Sequence, residues 1–526
     1  MIKDKKQDEN TLQKDKKFAK IEKILLKKPM MIIIHVTDTY FIEETQVNNK
    51  VDLPGFARFY ALGDFIKSRP QVQENNIPVL VLHGGDFLFP SLMSAYFKGK
   101  QMVDVLNACG FDYCTIGNHD FDEGARCLNA RMAKATFGIT CANIKPKKNH
   151  RIKIRDHVIC HDKENNPFAA IVGVAGADTI RNATQNGFET LHAENALRKV
   201  MRGIMQAHPK IDHLVVLSHM SNKEDKNLHE WLDKNWDGYA YILGGHDHNE
   251  ILQYDDKYPR TVLVKGQSNC RTVQILGLYG KSKDRDLGKN VLVFGNELSK
   301  INPNQKIQKI VTKWEALLEE HIKEKESDEV IKQFKPGTTL DATELHLRKG
   351  STNFGNFIAD CMSEFAKSDI ALINSGHFRG DRKIGSVLKV SDIRRIFVLD
   401  KKDALVKITM SGAECRDFLR HAYSEEGRGK VLQISRDAIK VLQNSSAKDK
   451  FSVAMLWDML STDDDGFTTI LAKCRATTVS KIRSEIKKSV IADSSLFDVI
   501  KRSSECVRYD PNIRISIKKF PDIFKK

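Results

Sequence analysis

The sequence has no Cys-x-x-Cys pair, no apolar stretch long enough to span a bilayer, and no hydrophobic signal region before Pro29. Each absence excludes something. Cys109, Cys114, Cys127 and Cys141 cluster loosely, but their spacing fits no zinc ribbon. Ten scattered cysteines in a chain without a secretion signal read as reduced thiols rather than a disulfide framework. With no signal and no membrane span, the expectation is an intracellular, cytoplasmic protein. No internal repeat is present, and no low-complexity segment beyond the Lys-rich ends. Nor is there an RNA- or DNA-binding signature, so the formal net charge of +16 does not point to nucleic acid as a specific partner. Much of the lysine clustering lies near the ends, as in Lys14-Asp15-Lys16-Lys17 and Lys518-Lys519. That charge suits solubility or the steering of an anionic substrate.

What is present is a long, ordinary globular composition. A chain of 526 residues, 41% hydrophobic and 29% charged, is expected to hold two domains with a connector. Residues 1–29 read as a basic, disordered tail, with a short amphipathic turn at Ile21–Leu26 as the alternative. From residue 30 to 300, apolar runs alternate with helical patterns. Strands are expected at Met31–Val36, Val79–Leu82, Asp112–Ile116, Ala169–Val174, Leu214–Leu217, Tyr241–Leu243, Val262–Val264 and Thr272–Leu278. Helices are expected at Phe56–Ile66, Gln101–Ala108, Gly124–Ala135 and Glu194–Met205. This alternation predicts a layered α/β domain. Residues 301–336 read as a connecting helix, with Ile307, Ile310, Val311, Trp314, Leu317, Leu318 and Ile322 on one face. Residues 337–526 then form a smaller α/β domain, with helices at Phe354–Ala366 and Gly412–His421 and strands at Ile370–Ile373 and Leu405–Met410.

Five polar clusters follow apolar runs in the first domain. They are Asp38-Thr39-Tyr40, Gly84-Gly85-Asp86, Gly117-Asn118-His119-Asp120-Phe121-Asp122, Ser218-His219-Met220 and Gly244-Gly245-His246-Asp247-His248. Open α/β sheets bind ligands outside the carboxyl ends of their strands, so five such ends would converge on one site. Asp38, Asp86 and Asn118 offer hard oxygen donors, and His219, His246 and His248 offer imidazoles. Mixed nitrogen and oxygen ligation suits Zn, Mn or Fe and lacks the thiolates of a structural zinc site. Asp86 is placed to bridge two ions, and a pair of ions supports in-line displacement at phosphorus. His119 with Asp122 would stabilise developing charge or protonate a leaving oxygen.

This order of motifs resembles the calcineurin-like metallophosphoesterases, and with the second domain it resembles the 5′-nucleotidase/UDP-sugar hydrolase family, over nearly the whole chain from Met30. The resemblance implies a four-layer α/β/β/α metallophosphatase domain and a smaller α/β substrate-binding domain. It implies two metal ions, divalent or of mixed valence: Asp38, Asp86 and His248 for one, Asp86, Asn118, His219 and His246 for the other. It makes His119 and Asp122 the catalytic pair. In the second domain, Asn353-Phe354-Gly355-Asn356 resembles the family's helix start, and Asn374-Ser375-Gly376-His377-Phe378-Arg379 resembles its substrate loop. The latter gives Asn374 and Arg379 as substrate contacts, an Arg being suited to fork onto paired oxygens. Asp463-Asp464-Asp465-Gly466-Phe467 resembles a further substrate motif and gives Asp465.

The chain also departs from the pattern. Tyr40 stands where the first motif has a metal-binding His, either as a phenolate that favours trivalent iron or as a packed, non-ligating ring. The two rings that grip a nucleobase in the family fall on Leu405 and Met459 by counting, which puts nucleobase recognition in question. The leading expectation is a phosphate-monoester hydrolase acting on a small phosphorylated substrate. A phosphodiesterase or pyrophosphohydrolase, and a degenerate relative that binds a phospho-ligand or a protein, are the alternatives.

Overall fold

The computed structural model describes residues 16–510, apart from 48–49, 149, 255, 281–290, 326–328, 399–403, 425–428, 462–464, 492–495 and 509. The chain divides into two compact units, one ending at Leu318 and the other beginning at Glu319.

The first unit contains two sheets. One runs in the order Val291–Phe294, Val273–Leu278, Met31–Val36, Val79–His83, Tyr113–Cys114, Gly138–Thr140, Ile154–Arg155. The other runs Ile251–Gln253, Thr261–Lys265, Tyr239–Gly244, His213–His219, Pro167–Ala175, Val158–His161. The central strands of each sheet are parallel to their neighbours. Strands of this kind are buried on both faces and read as continuous apolar runs. Alternate residues sort to opposite faces. Met31, Ile33, Leu82, Ile171, Val215, Leu217, Tyr241 and Leu276 form one cluster between the sheets. Val172, Val216 and Ile242 face the other way, onto Leu197, Val200 and Ile204 of helix Ala193–Ala207 and Leu228 and Leu232 of helix Asn222–Asn235. On the far side of the first sheet, Ile34 lies against helix Gly55–Lys67, where a Cβ on Gly63 would stand 3.8 Å from Ile34 Cδ1. The unit is the expected α/β/β/α stack.

The second unit has a mixed four-stranded sheet, ordered Leu405–Ser411, Lys450–Leu456, Ile370–Asn374, Leu432–Ile434. Helix Asn353–Ala366 lies in its core through Phe354, Phe357, Ile358 and Met362. Thr352 caps that helix by accepting from the Gly355 N–H at 3.0 Å. A Cβ on Gly355 would lie 2.2 Å from Gln433 Oε1, so this glycine lets the helix start sit against Gln433.

Two boundaries differ from the sequence reading. Helix Lys16–Leu26 occupies part of the stretch expected to be a disordered tail. Phe18, Ile21, Ile24 and Leu25 recur at helical spacing and are buried, Phe18 meets Phe65 edge-on, and the Tyr279 hydroxyl donates to Ile24 O at 2.9 Å. Lys16, Lys20 and Lys23 are exposed, so a basic composition concealed an amphipathic helix. The rest of that stretch, residues 1–15, lies outside the described residues. The expected connecting helix is also shorter, spanning Gln305–Lys325, and Val330–Gln333 is instead a strand paired with Val387–Lys389. Among the described residues, no helix is long and apolar enough to cross a membrane. The ten cysteines are free thiols.

Candidate metal and catalytic centre

All five strand-end clusters of the first unit meet. Asp38 follows Met31–Val36, Asp86 follows Val79–His83, Asn118 follows Tyr113–Cys114, His219 ends His213–His219, and His246 and His248 follow Tyr239–Gly244. Four of these residues sit in left-handed backbone: Asp38 at φ 52°, Asp86 at 55°, His246 at 79° and His248 at 57°. Such values are uncommon outside glycine, and their gathering at one place marks a functional site.

The donor atoms fall into two groups. In the first, His248 Nε2 lies 3.2 Å from Asp38 Oδ1 and 2.8 Å from Tyr40 Oη. The phenol is 3.4 Å from both Asp38 Oδ1 and Asp86 Oδ2. In the second, His219 Nε2 lies 3.2 Å from Asp86 Oδ2 and 3.2 Å from Asn118 Oδ1, which is 3.0 Å from His246 Nδ1. Adjacent donors around one Zn-sized ion, each bonded at about 2.1 Å, stand about 3 Å apart. Both groups have that spacing, and Asp86 Oδ2 belongs to each. Asp38, Asp86 and His219 alone are close enough to hold an ion. Donor chemistry and spacing therefore fit a metal centre.

The surrounding bonds fix these groups. His219 directs Nδ1 to Gly84 O at 2.8 Å, which leaves Nε2 for the centre. Asp38 accepts from His246 N–H and from Thr37 Oγ1 at 2.6 Å. Asp86 Oδ1 accepts from His119 N–H at 2.8 Å. A Cβ on Gly117 would stand 2.0 Å from that same Oδ1, so Gly117 lets the loop close over Asp86. Burial opposes ionisation of Asp38, yet His248 and His219 hold its carboxyl well below the usual range. Burial likewise depresses His219, but Asp86 and Asp38 overcome it and push the imidazole up to about 10. These buried carboxylates thus favour a positive charge beside them, the role a bound cation would fill.

His119 and Asp122 form a pair at 2.9 Å, Nδ1 to Oδ2. An ionised carboxylate can only accept, so His119 donates through Nδ1 to Asp122. The motif turns through a short 3₁₀ segment, His119–Phe121, before helix Gly124–Met132 begins.

Sequence reasoning missed several residues that shape the centre. Asp120 is buried and accepts from the N–H groups of Gly117, Asp86, Phe87 and Leu88. It pins the loops carrying Asn118 and Asp86 together. His83 Nε2 meets Thr39 Oγ1 at 2.8 Å, and burial, then His35, holds its pKa down to about 3. Asn269, far along the chain, accepts from Tyr40 N–H at 2.9 Å and donates to Asp38 O at 3.0 Å. Only the repetition of polar residues at strand ends could have signalled Asp120; the others carry no local mark.

Lys265 is the most consequential of the missed groups. Fully buried, it places Nζ 2.7 Å from Asp225 Oδ2, 2.8 Å from Met220 O and 3.4 Å from Asp247 Oδ2. Asp247 stands between His246 and His248, and Met220 follows His219, so this ammonium ties two ligand loops together. Lys265→Met is expected to destabilise the first unit by about 3–5 kcal/mol, because it leaves buried carboxylates uncompensated. Calorimetry should show a lowered unfolding midpoint; an unchanged midpoint would contradict the assignment.

In the second unit, Asn374 Nδ2 donates to Asp465 Oδ2 at 2.5 Å, and His377 Nδ1 bonds Asn374 Oδ1. His421 Nε2 meets Asp465 O at 2.5 Å. Arg379 follows, its N–H donating to Ile396 O at 2.7 Å and its buried Nε without a hydrogen-bond partner among the described residues. Burial, then the Arg379 charge, holds His377 down to about 3. Asn374 and Asp465 are thus brought together, while Asp463 and Asp464 lie outside the described residues. Leu405 and Met459, the counted positions for base-gripping rings, are both buried in the apolar core. Leu405 pairs with Leu456 inside the sheet, and Met459 packs within helix Trp457–Ser461. Neither side chain is presented to a ligand.

Comparison with known proteins identifies both domains. Residues 31–250 match the model for calcineurin-like phosphoesterases, and residues 330–500 match that for the C-terminal domain of 5′-nucleotidases. A snake venom 5′-nucleotidase from Gloydius brevicauda is 23% identical over 422 residues, covering 73% of this chain and 69% of that protein. The trifunctional nucleotide phosphoesterase protein YfkN of Bacillus subtilis is 25% identical over 415 residues, 68% of this chain but 26% of its own length. Among solved structures, a 5′-nucleotidase precursor from Thermus thermophilus superposes with a TM-score of 0.67 at 18% identity, covering 92% of this chain and 99% of that one. A sulfate thiohydrolase, SoxB, from the same organism gives 0.62 at 13% identity, covering 93% and 96%. Matched in both domains and in their order, the chain belongs to the 5′-nucleotidase-like metallophosphoesterases.

Proposed function

We propose that this protein is a dinuclear metal-dependent hydrolase of phosphate monoesters. The observation that carries the reading is the sharing of Asp86 Oδ2 between two donor groups with the spacing of ligand shells. Asp38, Tyr40, Asp86 and His248 would hold one ion, and Asp86, Asn118, His219 and His246 the other. Zn, Mn and Fe all suit these donors. When bound, a pair of such ions supplies Lewis acidity toward phosphoryl oxygens and a nucleophile at neutral pH. The chain's own groups do the rest. Asp86 accepts the His119 main-chain N–H and so holds the catalytic loop against the centre. Asp122 orients His119, whose Nε2 protonates or stabilises the leaving oxygen. Arg379, with a buried Nε that lacks a partner among the described residues, takes an anionic group of the substrate, and Asn374 and Asp465 take polar groups.

The burial of Leu405 and Met459 favours recognition through phosphate and polar groups over a gripped base. Tyr40 is proposed as a ligand because its oxygen contacts three other donors and its N–H is held by Asn269. A phenolate there favours trivalent iron at the first position. Free thiols suit a reducing compartment, and the cytoplasm is the proposed location.

The test is metal analysis and a visible spectrum of purified protein, coupled to phosphate release. The panel holds nucleoside monophosphates, sugar phosphates, cyclic nucleotides and an activated aryl phosphate. Two ions per chain with turnover of aryl and sugar phosphates is the expected result. A charge-transfer band in the iron-loaded protein, lost in Tyr40→Phe, is expected with it. Preference for cyclic nucleotides would replace the monoesterase reading with a phosphodiesterase. No turnover after supplying Mn, Zn or Fe would leave a ligand-binding relative.

A further inference from the structure

Helix Ala177–Gln185 follows strand Pro167–Ala175 and carries none of the candidate ligands. Its Asp178 and Asn182, with Asn186 just past its end, recur every four residues and therefore share one face. Each touches the centre's framework. Asp178 Oδ2 lies 3.4 Å from His246 Nε2. Asn182 Nδ2 donates to Asn118 O at 3.1 Å. Asn186 Oδ1 accepts from Ala125 N–H at 2.8 Å and Asn186 Nδ2 donates to Asn182 O at 2.9 Å, joining the stripe to the first turn of helix Gly124–Met132. Arg181 in turn holds Asp178, Nη2 to Oδ1 at 3.0 Å.

The two imidazoles of the second donor group use opposite nitrogens. His219 offers Nε2 because Nδ1 faces Gly84 O. His246 has Nδ1 at 3.0 Å from Asn118 Oδ1, so its outer nitrogen is Nε2, and the group facing that nitrogen is Asp178. An ionised carboxylate only accepts, which places the ring proton on Nε2 and leaves the Nδ1 lone pair pointing inward. A metal-binding His is commonly oriented by such an outer carboxylate, whose loss typically weakens metal binding without removing a ligand.

We infer that Asp178 is a positioning residue for His246, and that the polar stripe Asp178–Asn182–Asn186 secures the second ion's donors and not the first's. The inference rests on the dinuclear reading. Among the described residues, no contact of the stripe reaches Asp38, Tyr40 or His248; outside its own helix its partners are His246, Asn118 and Ala125 at the start of helix Gly124–Met132. Removing Asp178 therefore acts on one ion of the pair.

The experiment measures stepwise Zn and Mn affinities of full-length wild type, Asp178→Ala and Asp178→Asn by competition with a chromophoric chelator, alongside thermal unfolding of the metal-free proteins. In Asp178→Ala, the weaker or stronger of the two steps, whichever is lost in an Asn118→Ala reference, is expected to weaken by about 10–100-fold. The other step is expected to stay at its wild-type value. Asp178→Asn keeps an oxygen that accepts from His246 and is expected to recover most of the loss. Equal weakening of both steps with a lowered unfolding midpoint would make Asp178 merely structural, and unchanged affinities would overturn its role outright. Wild type binding a single ion would instead remove the dinuclear reading itself, which separates the two failures.

Discussion

Asp86→Ala should leave the protein unable to retain either ion and abolish phosphate release. Asp86 Oδ2 is within 3.2 Å of His219 Nε2 and 3.4 Å of the Tyr40 phenol, so one side chain serves both donor groups. Its other oxygen accepts from the His119 N–H at 2.8 Å, so the variant also frees the loop that carries Asn118 and His119. Loss of one charge-stabilising donor typically lowers turnover by roughly 10²–10³-fold. The fall here should exceed that, because several such interactions depend on one carboxylate. The side chain is buried at 1% exposure, and His219, then His119, hold its carboxyl below the usual range against burial, so thermal unfolding is measured alongside to separate loss of metal from loss of fold. Metal content after dialysis and turnover with an aryl phosphate are the measurements. A variant that kept two ions would show that Asp86 does not bridge.

His119→Ala should separate chemistry from metal binding. The Asp86 contact uses the main-chain N–H of residue 119, which alanine retains. Metal content should therefore match wild type. The lost imidazole, oriented by Asp122 at 2.9 Å, should lower turnover by roughly 10²–10⁴-fold if it acts as a general acid. The choice of leaving group then reports its role. With an activated aryl phosphate, whose leaving oxygen needs no proton, the deficit should shrink. An equal deficit on alkyl and aryl substrates would assign His119 to phosphoryl charge instead, and unchanged turnover on both would remove it from the mechanism.

The parts of this centre legible in the sequence share a physical origin. A parallel strand buried on both faces is apolar throughout, so the first polar residues after it mark where the chain leaves the sheet. Asp38, Asp86, Asn118, His219, His246 and His248 each stand at such a place. The helix at residues 16–26 was hidden because its lysines set the local composition while Phe18, Ile21, Ile24 and Leu25 set its structure. Leu405 and Met459 were located by counting from matched motifs, but whether a side chain meets a ligand or the core depends on its face. Both face the core.

The order and chemistry of the strand ends were determined by the sequence itself: hard oxygens and imidazoles after apolar runs, and a His–Asp pair three residues apart. Those are local properties, written in neighbouring residues. Tertiary structure alone decided that Asp178 faces His246, that Lys265 neutralises Asp225 and Asp247, and that Asn269 holds Tyr40. These partners lie tens to hundreds of positions apart or on separate elements, and their pairing follows from how sheets and helices stack. No spacing rule along the chain encodes it.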